Sequence, residues 1–68
     1  MFIFRINAKR KYLGEEFIKS YDEEFRYPED AENAAHGYWL RRGKNDSKVV
    51  SVQFIDCDGM RTLSEWKK

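Results

Sequence analysis

The side chains that most often carry acid–base or nucleophilic chemistry occur once each, as His36 and Cys57. A Ser-His-Asp triad, a His–Cys dyad or a zinc centre with spaced His and Cys ligands needs more than one subunit of this chain supplies. On a helical wheel His36 falls with Asn33 and Leu40, away from the alanines, where a histidine is solvated. Cys57 stands between Asp56 and Asp58, and those negative neighbours disfavour the thiolate that a reactive cysteine needs. The run Asp56-Cys57-Asp58-Gly59 lacks the alternating oxygen ligands and the distal Glu of a calcium loop. The four glycines, Gly14, Gly37, Gly43 and Gly59, are isolated, so no glycine-rich loop cradles a phosphate. Carboxylates crowd the stretch from Glu15 to Glu32, but without a pocket signal they read as a solvated face rather than an acid–base pair. The expectation is a protein that is not an enzyme, uses no metal or cofactor, and acts by binding.

The elements that would present such a surface follow from periodicity. Phe2, Phe4, Ile6 and Ala8 alternate as one side of a half-buried strand over residues 2–8. A helix is expected over 28–42. Pro28 suits its first position, Glu29, Asp30 and Glu32 sit at the positive end of its dipole, and Arg41 and Arg42 sit at the negative end. Gly43 is expected to end it in a left-handed conformation. Ala31, Ala34, Ala35 and Tyr38 form its inward stripe. Tyr27 is a poor N-cap, and nothing in the sequence accounts for Gly37. Residues 48–66 read as a hairpin about a type I′ turn at Asp58-Gly59. That register sets Asp56 against Arg61, Ile55 against Thr62 and Phe54 against Leu63, with Val50, Val52, Phe54 and Leu63 on the core side.

Residues 15–27 are ambiguous. Phe17, Ile18, Tyr21 and Phe25 fit one face of a helix, whereas Phe17, Tyr21, Phe25 and Tyr27 fit one side of a strand. The passage Phe25-Arg26-Tyr27-Pro28 favours a strand leading directly into a Pro-started helix. The expected fold is therefore α+β, a small antiparallel sheet packed by one main helix in the order ββαββ, with βααββ as the alternative.

Sixty-eight residues make a single domain, 1–68, with no room for a second core. One cysteine excludes an internal disulfide and suits a reducing compartment. Five Phe, four Tyr and two Trp supply the bulk that a staple otherwise would. A homodimer is the other common remedy for so small a chain. No apolar run is long enough to span a bilayer, and Met1-Phe2-Ile3-Phe4-Arg5 does not read as a signal peptide, so a cytoplasmic protein without membrane contact is expected. Charged residues make up 37% of the chain for a formal net charge of +1. The charge is blocked: +4 over residues 1–14, −6 over 15–32 and +3 over 33–68.

Two binding surfaces follow from that blocking. Glu15, Glu16, Asp22, Glu23, Glu24, Glu29 and Asp30 would form an acidic face that docks on a basic surface of a larger protein or ribonucleoprotein complex. Asn33, His36, Trp39 and Leu40 would add an interface on the helix. Alternatively, Arg5, Lys9, Arg10 and Lys11 on the N-terminal strand would contact RNA or single-stranded DNA. In size, blocked charge and ββαββ order the chain resembles small phage-encoded inhibitors of the anti-CRISPR and host-takeover kind. That resemblance implies an inhibitor that binds and occludes a site on a larger bacterial complex. It rests on architecture and assigns no site residue.

Overall fold

The structure is a computed structural model that describes all residues, Met1 to Lys68. Its order is β1 (Phe2–Tyr12), β2 (Glu15–Phe25), α1 (Pro28–Arg41), a short 3₁₀ turn (Gly43–Asn45), β3 (Val49–Asp56) and β4 (Arg61–Lys67). The four strands form one antiparallel sheet in the order β2-β1-β3-β4, with α1 against one face. Residues 15–27 are thus mainly strand, and the ββαββ reading holds.

The helix-side face of β1 is the alternating set read from the sequence. Phe4 is buried with Ala31, Ala35, Val49, Val52 and Phe54, while Phe2, Ile6, Phe25, Ala34, Tyr38, Trp39 and Trp66 pack around that cluster. Ala31 and Ala35 are wholly buried; their single methyls let the helix axis approach the sheet closely. The Phe4 ring meets the Tyr38 ring at 5.6 Å and Phe2 meets Phe54 at 6.0 Å, separations at which tilted aromatic pairs attract.

Four expectations need correction. The helix ends at Arg41 with Arg42 as its cap, and Gly43 does not take a left-handed conformation. Gly43 is instead buried against Trp39, and an added Cβ there would lie 2.7 Å from the ring's Cε3. The Asp58-Gly59 turn is not type I′. Residues 57–60 form a four-residue loop in which Met60, at φ 50°, takes the left-handed conformation. Asp56 Oδ1 accepts the N–H of Asp58 at 3.0 Å, the short-range bond that lets Asp open a turn. The pairs Asp56–Arg61 and Ile55–Thr62 are as expected, but Phe54 faces Ser64 because Leu63 is an extra residue in β4. A second irregularity leaves Val50 without a partner in β1, so Val49 joins the core in its place.

The left-handed two-residue turn lies in the other hairpin. Leu13 at φ 51° and Gly14 at φ 83° join β1 to β2 with Tyr12 opposite Glu15, as a type I′ turn requires. These strands outrun the rest of the sheet. β3 pairs with β1 only as far as Ala8, and a last bond from Lys9 N–H to the Lys48 carbonyl, 2.7 Å, ties the arm down. Residues 9–18 therefore project as a two-stranded ribbon, and the molecule is 39 Å long but 15 Å thick.

Candidate nucleic-acid interface

Strand pairing redistributes the blocked charge. β1 and β2 run antiparallel, so Lys11 comes opposite Glu16 and Arg5 opposite Asp22. The basic and acidic segments are thus partners in one hairpin and not two faces of opposite sign. What remains is a separation along the length of the molecule. The arm end gathers Lys9, Arg10, Lys11 and Lys19 from the hairpin, and Arg41, Arg42, Lys44 and Lys48 from the helix C-terminus and the turn after it. Lys67 and Lys68 join them from the end of β4. That is ten of the chain's 13 Lys and Arg, set against Glu15, Glu16, Asp46 and Glu65, whose Oε1 lies 3.8 Å from Lys67 Nζ. The opposite end holds Glu23, Glu24, Glu29, Asp30, Glu32, Asp56 and Asp58, with Arg26 and Arg61 among them.

Two concavities open at the arm end, one on each side of upper β1. The first is a notch of about 780 Å³ between the arm and the turn before β3, lined by Lys9, Arg10, Lys11, Glu16, Asp46, Ser47 and Lys48. The second is a slot of about 280 Å³ on the helix side. Ile6, Ala8 and Val49 give it an apolar floor, Tyr21 and Tyr38 flank it, and Arg10, Lys48 and Asp46 complete its lining. Arg10, Asp46 and Lys48 belong to both.

Local structure fixes these groups. Arg10 donates from Nε to the Tyr21 hydroxyl at 2.8 Å and from Nη1 to the Lys9 carbonyl at 2.9 Å. Its guanidinium carbon lies 5.1 Å from the centroid of the Tyr21 ring, and Lys19 Nζ lies 5.3 Å from it. Asp46 is used by the turn: Oδ1 accepts the Lys48 N–H at 2.9 Å, and its carbonyl accepts from Val49 N–H and from the Lys68 ammonium. The cations of the notch are thus set around a turn whose one aspartate already has partners.

The sheet face away from the helix is a different kind of surface. Ser20, Asn7, Gln53 and Glu65 form a hydrogen-bonded chain across all four strands, with Ser51 as a further acceptor for Asn7. Beside it Arg5 grips Asp22 through two parallel bonds of 2.7 and 2.8 Å. The hydrogen bond to Arg5 holds the Asp22 carboxyl below its ordinary range, and the same bond raises Arg5.

Of the basic residues singled out from sequence, Lys9, Arg10 and Lys11 meet in the notch, whereas Arg5 lies farther down β1, engaged with Asp22. The acidic set divides. Glu15 and Glu16 sit near the arm tip, Asp22 is paired with Arg5, and Glu23, Glu24, Glu29 and Asp30 gather at the far end. On the helix, Asn33 and Leu40 are exposed, Trp39 packs on the core, and His36 stacks on Trp66 with ring centroids 5.2 Å apart. Sequence reasoning missed Tyr21, Tyr38 and Lys48 as companions of Arg10. Their signal is topological: once 15–25 is a strand and a helix leads back to β3, residues 38–48 must return beside 8–10. No known protein family, curated protein or solved structure matches this chain.

Proposed function

We propose that this chain is a non-enzymatic binding protein that docks its basic end on the nucleic acid of a larger nucleoprotein complex. The observation that carries the reading is the gathering of ten Lys and Arg at the end that also bears the projecting arm. A polyanion exchanges condensed counterions for such side chains, which makes binding favourable and steeply salt-dependent. Occupying a site in this way is how an inhibitor of the phage or mobile-element kind, anti-CRISPR proteins included, would act in a bacterial cytoplasm. The test is fluorescence anisotropy with labelled oligonucleotides across a salt series. Affinity is expected to fall steeply between about 50 and 200 mM salt. The double reversal Lys9→Glu/Lys48→Glu should weaken binding at least tenfold, and reversals at the far end should not. Absence of binding at low salt sinks the reading.

A second reading places the contact at the opposite end. Glu23, Glu24, Glu29 and Asp30 come together there beside Tyr27, which is 52% exposed. Such a surface complements a basic protein face. The triple reversal Glu23→Lys/Glu24→Lys/Glu29→Lys discriminates. Loss of capture from a nuclease-treated bacterial lysate supports this reading, and loss on nuclease treatment alone supports the first.

A further inference from the structure

We infer that the slot between Tyr21 and Tyr38 receives an unstacked base of a single-stranded nucleic acid, while the adjoining notch takes its phosphate. The inference rests on the nucleic-acid reading above and narrows it to one substrate class. The slot has an apolar floor and rings from two elements, with the Arg10 guanidinium and the Lys19 ammonium beside the Tyr21 ring. Aromatic rings and guanidinium planes are the groups on which unpaired bases stack. At about 280 Å³ it lies at the lower edge of small-ligand sites. A single planar ring system fits there and a paired duplex does not.

The rings are held in place. Tyr38 is backed by Phe4 at 5.6 Å, and Tyr21 is tied through its hydroxyl to Arg10. Preorganised groups lose little freedom on binding. Arg10 and Lys48 line both concavities, so a nucleotide whose base enters the slot has its phosphodiester beside them. Arg10 spends Nε and one bond of Nη1 on the protein and keeps Nη2 for a phosphate oxygen.

Other surfaces carry less. The open sheet face consumes its central donors and acceptors in the Ser20–Asn7–Gln53–Glu65 chain. The apolar arm tip, Leu13, lines neither concavity.

Anisotropy with oligo(dT), oligo(rU) and a duplex, each of about 12 nucleotides per strand, tests the inference. Both single strands are expected to bind more tightly than the duplex, and binding of either one above the duplex supports the slot. Tyr21→Ala should weaken single-strand binding about tenfold and duplex binding much less. Tyr21→Phe keeps the ring while releasing Arg10, and should retain most of the affinity. Far-UV circular dichroism of each variant checks that the fold survives. Duplex binding as tight as single-strand binding, or unchanged single-strand affinity in Tyr21→Ala, overturns the slot and leaves the basic-end reading standing. No binding to any of the three probes overturns both.

Discussion

Arg5 on β1 and Asp22 on β2 face each other across the hairpin and are joined by two parallel bonds, Nε to Oδ1 at 2.7 Å and Nη2 to Oδ2 at 2.8 Å. This fork-to-fork geometry is the strongest form of a surface ion pair. It also fixes register, since a slip of one residue would send one partner to the other side of the sheet.

Asp22→Asn is expected to destabilise the fold by about 1 kcal/mol at neutral pH, the upper range for a pair that solvent still reaches. The Asp22 carboxyl is held below its ordinary value of 3.8 by the bond to Arg5. Its contribution is therefore full above that value and is lost as pH falls through the lower folded-state value. Urea denaturation should show wild type and variant differing at about pH 7, with the gap shrinking as the pH falls into the acid range. A gap that persists in acid would contradict the assignment.

Leu13 is the second test. It is 86% exposed and held at φ 51°, a conformation that costs Leu about 1–2 kcal/mol and Asn less. Leu13→Asn, which creates an Asn-Gly turn, should stabilise the domain by about 1 kcal/mol, raising Tm by about 4–8 °C. Thermal denaturation followed by circular dichroism measures this directly.

Two glycines should respond to alanine with opposite sign. At Gly37 an added Cβ meets only the Arg41 guanidinium, at 2.9 Å, which can swing into solvent. Gly37→Ala should therefore gain about 1 kcal/mol of helix stability. At Gly43 the obstacle is the Trp39 ring, packed on the core, and Gly43→Ala should lose about 1–3 kcal/mol. Equal effects in urea titrations would refute this account.

Asn7 holds the polar chain of the open face. Its Nδ2 donates to Ser51 Oγ at 3.0 Å and to Gln53 Oε1 at 2.9 Å, while its Oδ1 accepts from Ser20. Asn7→Asp keeps the shape, removes both donors and sets a charge against the Gln53 oxygen. A loss of about 1–3 kcal/mol is expected, together with faster amide exchange in β3.

Much of this fold was legible because local signals agreed. The alternation of Phe2, Phe4, Ile6 and Ala8, the Pro28 start and the alanine stripe each pointed to the element observed. The two β-bulges were not legible. An extra residue at Val50 or Leu63 leaves no mark in a β-rich run, yet it exchanges Val49 for Val50 in the core and turns Leu63 outward. Nor was the left-handed Met60, because Asp58-Gly59 offered a shorter turn with better residues. The site was half legible. Lys9, Arg10 and Lys11 stood out as a run, but Tyr21, Tyr38 and Lys48 join them only through strand order and the return of the chain after α1.

The outer edge of β2 offers eleven residues of backbone with no neighbouring strand. Such an edge is a template for polymerisation. β2 meets this hazard with its carboxylates. In the one antiparallel register that would use its full length against a second copy, centred on Ser20, Glu16 would come opposite Glu24. That like-charge contact opposes a two-fold dimer built through β2, so the residues read first as a docking face also guard an open sheet edge.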